Sequence, residues 1–406
     1  MSAPSDVLRP AADSDAIAGV PARYVAAPGS TAEAAEVLAA AARHDYAVVV
    51  RGSGTKQGWA APPRRLDLVL DTRRLTGVVE HAAGDLVVVV RAGTTVEELQ
   101  DKLGPAGQQL ALDTPLPGAT VGGTVAASSS GPRRMLYGTV RDLLIGVTVV
   151  RPDGVVAHAG GKVVKNVAGY DLGKLVTGSF GTLGVITRCA FRLHPLPAAS
   201  AFVRRGVESP EEAGRLAAAV LAAQVVPTAL EVDAPHGGGI EVAVLLQGVP
   251  AGVARRVATA CELLGGDPVV SDTPPDWWSA YPWGSGHVGI KLTAALSRVP
   301  VLLAAAYAVR ERYGAPLAVR GSAGTGVLYA GLPGTTAPDV VARVVEDLRA
   351  AAHTAAGHAV VLTAPAPVRE QVDLWGPVEG LDLMRRVKQQ FDPDGRFAPG
   401  RFVGGI

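Results

Sequence analysis

Helical and strand-like periods are mixed along the first 200 residues without a strict strand–helix–strand repeat. Apolar positions at Ala34, Val37, Leu38 and Ala41 share one helix face, and Ser30 with Glu33 forms a capping box at its start. A strand over 46–50 follows, then apolar runs at 66–70, 77–80 and 86–91 and a short helix over 96–103. Residues 142–150 and 155–158 read as a hairpin around Pro152-Asp153-Gly154. Beyond His194-Pro195-Leu196-Pro197 the texture changes. Strands over 202–207, 229–232, 241–246, 287–293, 317–320, 326–330 and 358–363 are interleaved with helices over 211–223, 253–264, 301–312 and 339–352. A last helix covers 381–391. This mixture predicts an α+β fold, with an antiparallel sheet in the second half, rather than a doubly wound one.

The length of 406 residues suits two or three domains. With 48% hydrophobic and 18% charged residues, the chain has enough apolar surface for a large core and is not globally disordered. The net charge of +1 gives no field to draw it to nucleic acid or an anionic membrane. The longest apolar run, 299–309, is bounded by Arg298 and Arg310 and is too short to span a bilayer. The first residues lack the apolar stretch of a secretory signal, so the expected location is cytoplasmic. Two cysteines, Cys189 and Cys261, exclude a disulfide scaffold and a cysteine-ligated iron–sulfur cluster within this chain. Cys189 falls on an expected strand and Cys261 on an expected helix, where both read as buried small hydrophobes.

Glycine is abundant, 49 residues, and two clusters carry chemistry. Arg51-Gly52-Ser53-Gly54-Thr55-Lys56-Gln57-Gly58 sits at a strand's end, where small residues let consecutive N–H groups face an anion and Lys56 adds charge. Its spacing is neither a Rossmann fingerprint nor a Walker A loop. The second cluster runs from Pro115 through Gly118, Thr120, Gly122 and Gly123 to Ser128 and Gly131, and its small side chains would let a helix N-terminus approach a pyrophosphate. A glycine loop standing alone is more often an ordinary turn.

A third segment changes the weighing: Gly169-Tyr170-Asp171-Leu172, leading to Gly178-Ser179-Phe180-Gly181-Thr182-Leu183-Gly184-Val185-Ile186-Thr187. Together, in this order, the three segments resemble the vanillyl-alcohol oxidase (PCMH-type) flavoproteins with their two-part FAD-binding domain. Within that family, KNVAGYDLGKL and the C-terminal FDPDGRFAPGRF resemble the FAD-binding E subunit of glycolate oxidase.

The resemblance implies an FAD domain over 1–197, an α+β cap over 198–367 and a segment, 368–406, that returns to the FAD domain. It implies that Arg51 to Lys56, with Gly52 to Thr55 at the pyrophosphate, face Pro115, Gly118, Thr120, Gly122, Gly123, Ser128 and Gly131 across the cofactor. Gly138 and Asp142 would pack near the flavin. Gly181, Val185 and Ile186 would touch adenine and ribose through the backbone, which leaves the last two free to be strand core as well. No histidine stands in either loop, so FAD is expected to be noncovalent. Where D-lactate dehydrogenase relatives carry two metal-binding histidines, this chain has Ser322 and Tyr329, so no metal site is expected.

Lys291 and Arg320, on expected strands, are placed either to clamp a substrate carboxylate or simply to face solvent. Trp277, Trp278, Tyr281, Trp283 and His287 form a dense group that suits a flavin pocket wall, a partner interface or core. His287 is the histidine nearest it and a candidate substrate residue. The expected reaction is oxidation of a 2-hydroxy acid, in a complex with a second flavoprotein subunit and an iron–sulfur subunit. Such partners could hold the chain peripherally at the inner membrane face. The alternatives are a stand-alone FAD oxidoreductase for a small alcohol or hydroxy acid, and an assembly subunit whose FAD is structural.

Overall fold

The computed structural model describes residues 7–161 and 171–406. The motif residues 165–170, including Gly169 and Tyr170, lie outside the described residues. The chain divides into two compact units: Met1–Ser130, Gly138–Leu196 and Val378–Ile406 form one, and Gly131–Tyr137 with Pro197–Pro377 form the other. Set beside the bounds read from the sequence, the second unit runs on to Pro377 and also takes in the short stretch Gly131–Tyr137.

The first unit holds two main sheets. One has the strand order Leu8–Pro10, Tyr24–Ala26, Leu68–Asp71, Val48–Arg51, with the last three parallel. The other is antiparallel in the order Val78–Ala82, Val87–Arg91, Val185–Arg192, Leu144–Val150, Val156–Gly160. Helix Thr31–Arg43 buries Ala34, Val37, Leu38 and Ala41 against Val48, Leu68, Leu70, Val150 and Phe397. Its expected capping box is only half formed. Ser30 accepts from the Glu33 N–H at 3.1 Å, but the Glu33 carboxylate takes the N–H of Gly29 at 2.9 Å. The strand expected over 142–150 starts only at Leu144. Val140–Leu143 is a helical turn, because Asp142 accepts from both the N–H and the hydroxyl of Thr139 at 2.8 and 2.7 Å. The turn at Gly154 (φ +87°) requires glycine, since a Cβ there would meet the Ala35 carbonyl at 2.7 Å.

The second unit is built on an eight-stranded antiparallel sheet. Its order is Val269–Ser271, Ala199–Val207, Ile240–Gly248, Ala229–Ala234, Ala318–Ser322, Val327–Leu332, Val288–Thr293, Ala359–Thr363. Helices Pro210–Ala222, Pro250–Leu264, Val299–Tyr313 and Pro338–Thr354 pack with it. Alternation along the strands separates two faces. Leu230, Val232, Val319, Leu328, Ala330, Ile290 and Leu292 are fully buried and share one. Direct cross-strand partners share the other: Glu231 with Ser322, Asp233 with Arg320, Arg320 with Tyr329, and Tyr329 with Lys291. On that same face Gly289 is paired with Gly331. A Cβ at Gly289 would run into the Trp283 ring, so this glycine lets the aromatic segment lie against the sheet.

The aromatic residues pack among themselves. Tyr281 stacks on Trp283 with centroids 4.5 Å apart, and both meet Tyr329 edge-on at 4.8 and 5.9 Å. Trp278 stands edge-on to Phe202 at 5.0 Å. The run 299–309 forms part of helix Val299–Tyr313, and among the described residues no helix is long and apolar enough to cross a membrane. Cys189 is buried as expected, and burial pushes its thiol far above the ordinary range. Cys261 is only half-buried, because its helix turns that position toward the rim of the unit's core.

Candidate functional site

The strand Val48–Arg51 ends where its parallel partner Leu68–Asp71 also ends, and the chain then turns through Gly52 to Gly58. Gly54 adopts φ +82°, which L side chains resist. Among the described residues, no acceptor takes the N–H groups of Ser53, Gly54 or Thr55. The loop is stitched to the second cluster: Ser53 Oγ donates to the Gly118 carbonyl at 2.5 Å, and Gly118 N–H donates to Glu97 at 3.0 Å. A side chain at Gly52 would run into the Thr120 hydroxyl, so glycine lets the two loops touch.

Between these loops lies a solvent-open cleft. Of the residues anticipated from the sequence, Gly52, Ser53, Gly54, Thr55, Lys56, Thr120, Gly122, Gly123, Gly181 and Ile186 line it. Gln57, Ser179, Phe180, Gly184 and Arg401, which stand in the quoted motifs without an assigned cofactor role, also line it, as does Thr72. Arg401 Nη2 donates to the carbonyls of Gln57 and Trp59 at 2.9 and 2.8 Å, so the C-terminal tail clamps the end of the first glycine loop. Lys56 is half-buried, with Nζ 3.3 Å from its neighbour's hydroxyl, Thr55 Oγ1. Burial pulls its pKa down to about 8, against the attraction of Glu97.

Several anticipated residues do other work. Arg51 is held by Asp15 and Asp71 at 2.8 and 3.2 Å. Val185 is fully buried among strand-core residues. Gly138 (φ +85°) packs so close to Asp142 that a Cβ would lie 2.7 Å from it, and Asp142 is spent on its capping box. Burial pushes the Asp142 carboxyl up, but the Thr139 hydrogen bonds leave it below the usual range. Pro115, Gly118 and Ser128 are not part of the cleft lining, and Gly131 belongs to the second unit.

The helix behind the second cluster, Val121–Ala126, also differs from expectation. Its first N–H groups are already used: Val121 donates to Thr94 and Gly122 to Ala92, both at 2.8 Å, and Gly123 to the Thr120 hydroxyl at 3.2 Å. Its N-terminus is therefore turned into the protein rather than toward a ligand. In the first loop, by contrast, three consecutive N–H groups stay unclaimed beside a lysine, and such a set fits a diphosphate.

In the second unit, Arg320 is neither a free clamp nor a solvent-facing charge. Its Nε donates to the Asp233 carboxylate at 2.7 Å, and its guanidinium lies 5.7 Å from the Trp277 ring centre. Lys291 is half-buried opposite Tyr329. His287 Nδ1 accepts from Gly284 N–H at 3.4 Å. The buried Ser322 faces Glu231, and the Tyr329 hydroxyl accepts from Arg134 at 3.2 Å. Arg134 was not anticipated from the sequence, because it lies 195 positions from its partner.

Residues 22–160 match the model of the FAD binding domain, and residues 373–402 match that of the FAD linked oxidases, C-terminal domain. The chain is 38% identical over 172 residues to the glycolate oxidase subunit GlcE of Escherichia coli (strain K12), covering 42% of this chain and 49% of that one. It thus spans about half the length of that relative. An uncharacterized FAD-linked oxidoreductase of Mycobacterium tuberculosis is 25% identical, over 94% of this chain and 91% of its own. Among solved structures, p-cresol methylhydroxylase with substrate bound superposes with a TM-score of 0.74 at 17% identity, covering 94% of this chain and 88% of that one. The chain thus carries an FAD-binding domain and a C-terminal segment of the kind found in FAD-linked oxidases.

Proposed function

We propose that this protein oxidises a small 2-hydroxy acid to the 2-oxo acid as one subunit of a glycolate oxidase-like assembly. Its partners in that reading are a second flavoprotein subunit and an iron–sulfur subunit, through which the chain could also reach the inner membrane face. The observation that carries the cofactor half is the set of unclaimed N–H groups at Ser53, Gly54 and Thr55 beside Lys56 in the cleft. FAD bound there would supply a hydride acceptor. Ser53 to Thr55 would donate to its pyrophosphate and Lys56 would add positive charge, while Arg401 holds the Gln57 and Trp59 carbonyls and so keeps the loop from opening. The cleft is lined by no histidine, cysteine or tyrosine among the described residues, which supports noncovalent attachment. Similarity to the E. coli glycolate oxidase subunit supports the choice of acid. With two cysteines in the chain, an iron–sulfur relay has to be supplied by a partner.

A second reading is a stand-alone FAD oxidoreductase. It is supported by the near full-length alignment with the mycobacterial oxidoreductase. The purified chain separates the two when assayed with glycolate and D-lactate and an artificial dye acceptor. Yellow protein with little turnover alone, rising when subunits captured from the host are added, is expected. Brisk turnover by the chain alone overturns the subunit reading.

A further inference from the structure

We infer that Arg134 and Tyr329 form a carboxylate-binding site on the polar face of the second unit's sheet. The choice of a 2-hydroxy acid or its 2-oxo product as the ligand rests on the proposed reaction; the anion site itself rests on geometry. Arg134 opens the short helix Arg134–Tyr137, which packs with the second unit although its neighbours in sequence belong to the first. Its Nε donates to the Gly131 carbonyl at 2.9 Å, which fixes the plane of the guanidinium. Its Nη2 donates to the Tyr329 hydroxyl at 3.2 Å. Both acceptors are neutral.

Among the described residues no carboxylate forms an ion pair with Arg134, whereas Arg320, Tyr329's neighbour on the same face, is taken by Asp233 at 2.7 Å. The charge of Glu231 acts on Arg134 from beyond ion-pair distance. A guanidinium has five donors in a rigid fork, and two are spent here. A half-buried cation without an ion-pair partner is costly, and a planar carboxylate can satisfy that fork with two parallel hydrogen bonds.

Tyr329 extends the site. Its hydroxyl accepts from Arg134 and so keeps its own proton for donation to a ligand oxygen. Lys291 stands directly across the strand pair from Tyr329 and forms no ion pair among the described residues. Tyr281 and Trp283, edge-on to the Tyr329 ring, hold that ring in place.

The test is calorimetric titration of the purified, FAD-loaded full chain with oxalate, glycolate and D-lactate. Ethylene glycol and methyl glycolate serve as uncharged controls, and flavin content and melting temperature are followed in every variant. The carboxylates are expected to bind and the uncharged controls not. Arg134→Gln should weaken carboxylate binding at least tenfold, Arg134→Lys should recover only part of the loss, and Tyr329→Phe should weaken it a few-fold, all with unchanged flavin content. If Arg134→Gln does not fold, Arg134→Lys and Tyr329→Phe carry the same comparison. Unchanged affinity in the folded variants, or no carboxylate binding by the wild type, overturns the site. Oxalate binding that depends on Arg134, with neither glycolate nor D-lactate binding, upholds the site and overturns the choice of a 2-hydroxy acid instead.

Discussion

The ammonium of Lys388 donates to the Asp392 carboxylate at 2.7 Å and to the carbonyls of Thr182 and Phe397, each at 2.8 Å. Asp392 in turn accepts the N–H groups of Arg396 and Phe397 at 3.1 and 2.8 Å. This knot ties helix Leu381–Phe391 to the loop that carries Ser179, Phe180, Gly181 and Gly184 into the cleft. It also lays Phe397 beside Val48 and so brings Arg401 to Gln57. Removing one partner of a buried, hydrogen-bonded pair costs about 3–5 kcal/mol, because the other is left charged and alone. Lys388→Met is therefore expected to lower the melting temperature sharply and to release FAD. Lys388→Met with Asp392→Leu should cost less than the single change, since no orphan charge remains. Differential scanning fluorimetry with flavin quantification decides it. A single variant that melts like the wild type and keeps its flavin removes the knot from the account of the site.

The elements most legible in the sequence were those with clean ends. Helices Val96–Leu103 and Leu381–Phe391 fall on their expected ranges. The first is bracketed by a full capping box in which Thr95 and Glu98 bond each other's backbone. Short helices such as Arg134–Tyr137 and Val140–Leu143 span about one turn and leave no period to read. The first glycine loop was legible because its chemistry is local: small residues at a strand's end, then a lysine. Arg401 was not, since its partner Gln57 is 344 positions away and nothing in the tail announces which loop it will clamp. Local pattern likewise gave no sign that Ala92 and Thr94 would claim the first N–H groups of helix Val121–Ala126.

FAD is expected to leave with acid. No described residue lining the cleft carries an imidazole, thiol or phenol that could bond to the flavin ring. Precipitation with trichloroacetic acid should put all the yellow colour in the supernatant. Colour that stays with the pellet would mean that a residue outside the cleft's described lining forms a bond.

Gly122 and Gly123 should respond differently to substitution. A Cβ at Gly122 would lie 2.7 Å from the Ala92 methyl and 3.1 Å from its carbonyl, so even Gly122→Ala should destabilise the fold. A Cβ at Gly123 meets only the Thr120 hydroxyl, at 3.0 Å. Gly123→Ala should therefore fold and hold FAD with modestly reduced affinity, while Gly123→Asp should fold and lose FAD, because a carboxylate then stands in a cleft built for an anion. Melting temperature and flavin content of the purified variants separate the two effects. A Gly123→Asp protein that purifies with one FAD per chain would place the diphosphate elsewhere.

FAD affinity should fall as pH rises through about 8, the value to which burial lowers Lys56 in the free protein. Below that pH the ammonium is already present and binding needs no proton. Above it the free protein holds a neutral amine, and a pyrophosphate that favours the ammonium must draw a proton from solvent as it binds. The dissociation constant should then rise by up to about tenfold per pH unit, because each unit costs about 1.4 kcal/mol of proton uptake. Lys56→Arg should bind FAD with a flat profile over pH 7 to about 9.5, because a guanidinium stays protonated throughout. Lys56→Met should be weaker at every pH and equally flat. Fluorescence titration of the flavin-free chain at stepped pH measures all three. A wild-type curve as flat as that of Lys56→Arg would show that Lys56 does not face the pyrophosphate.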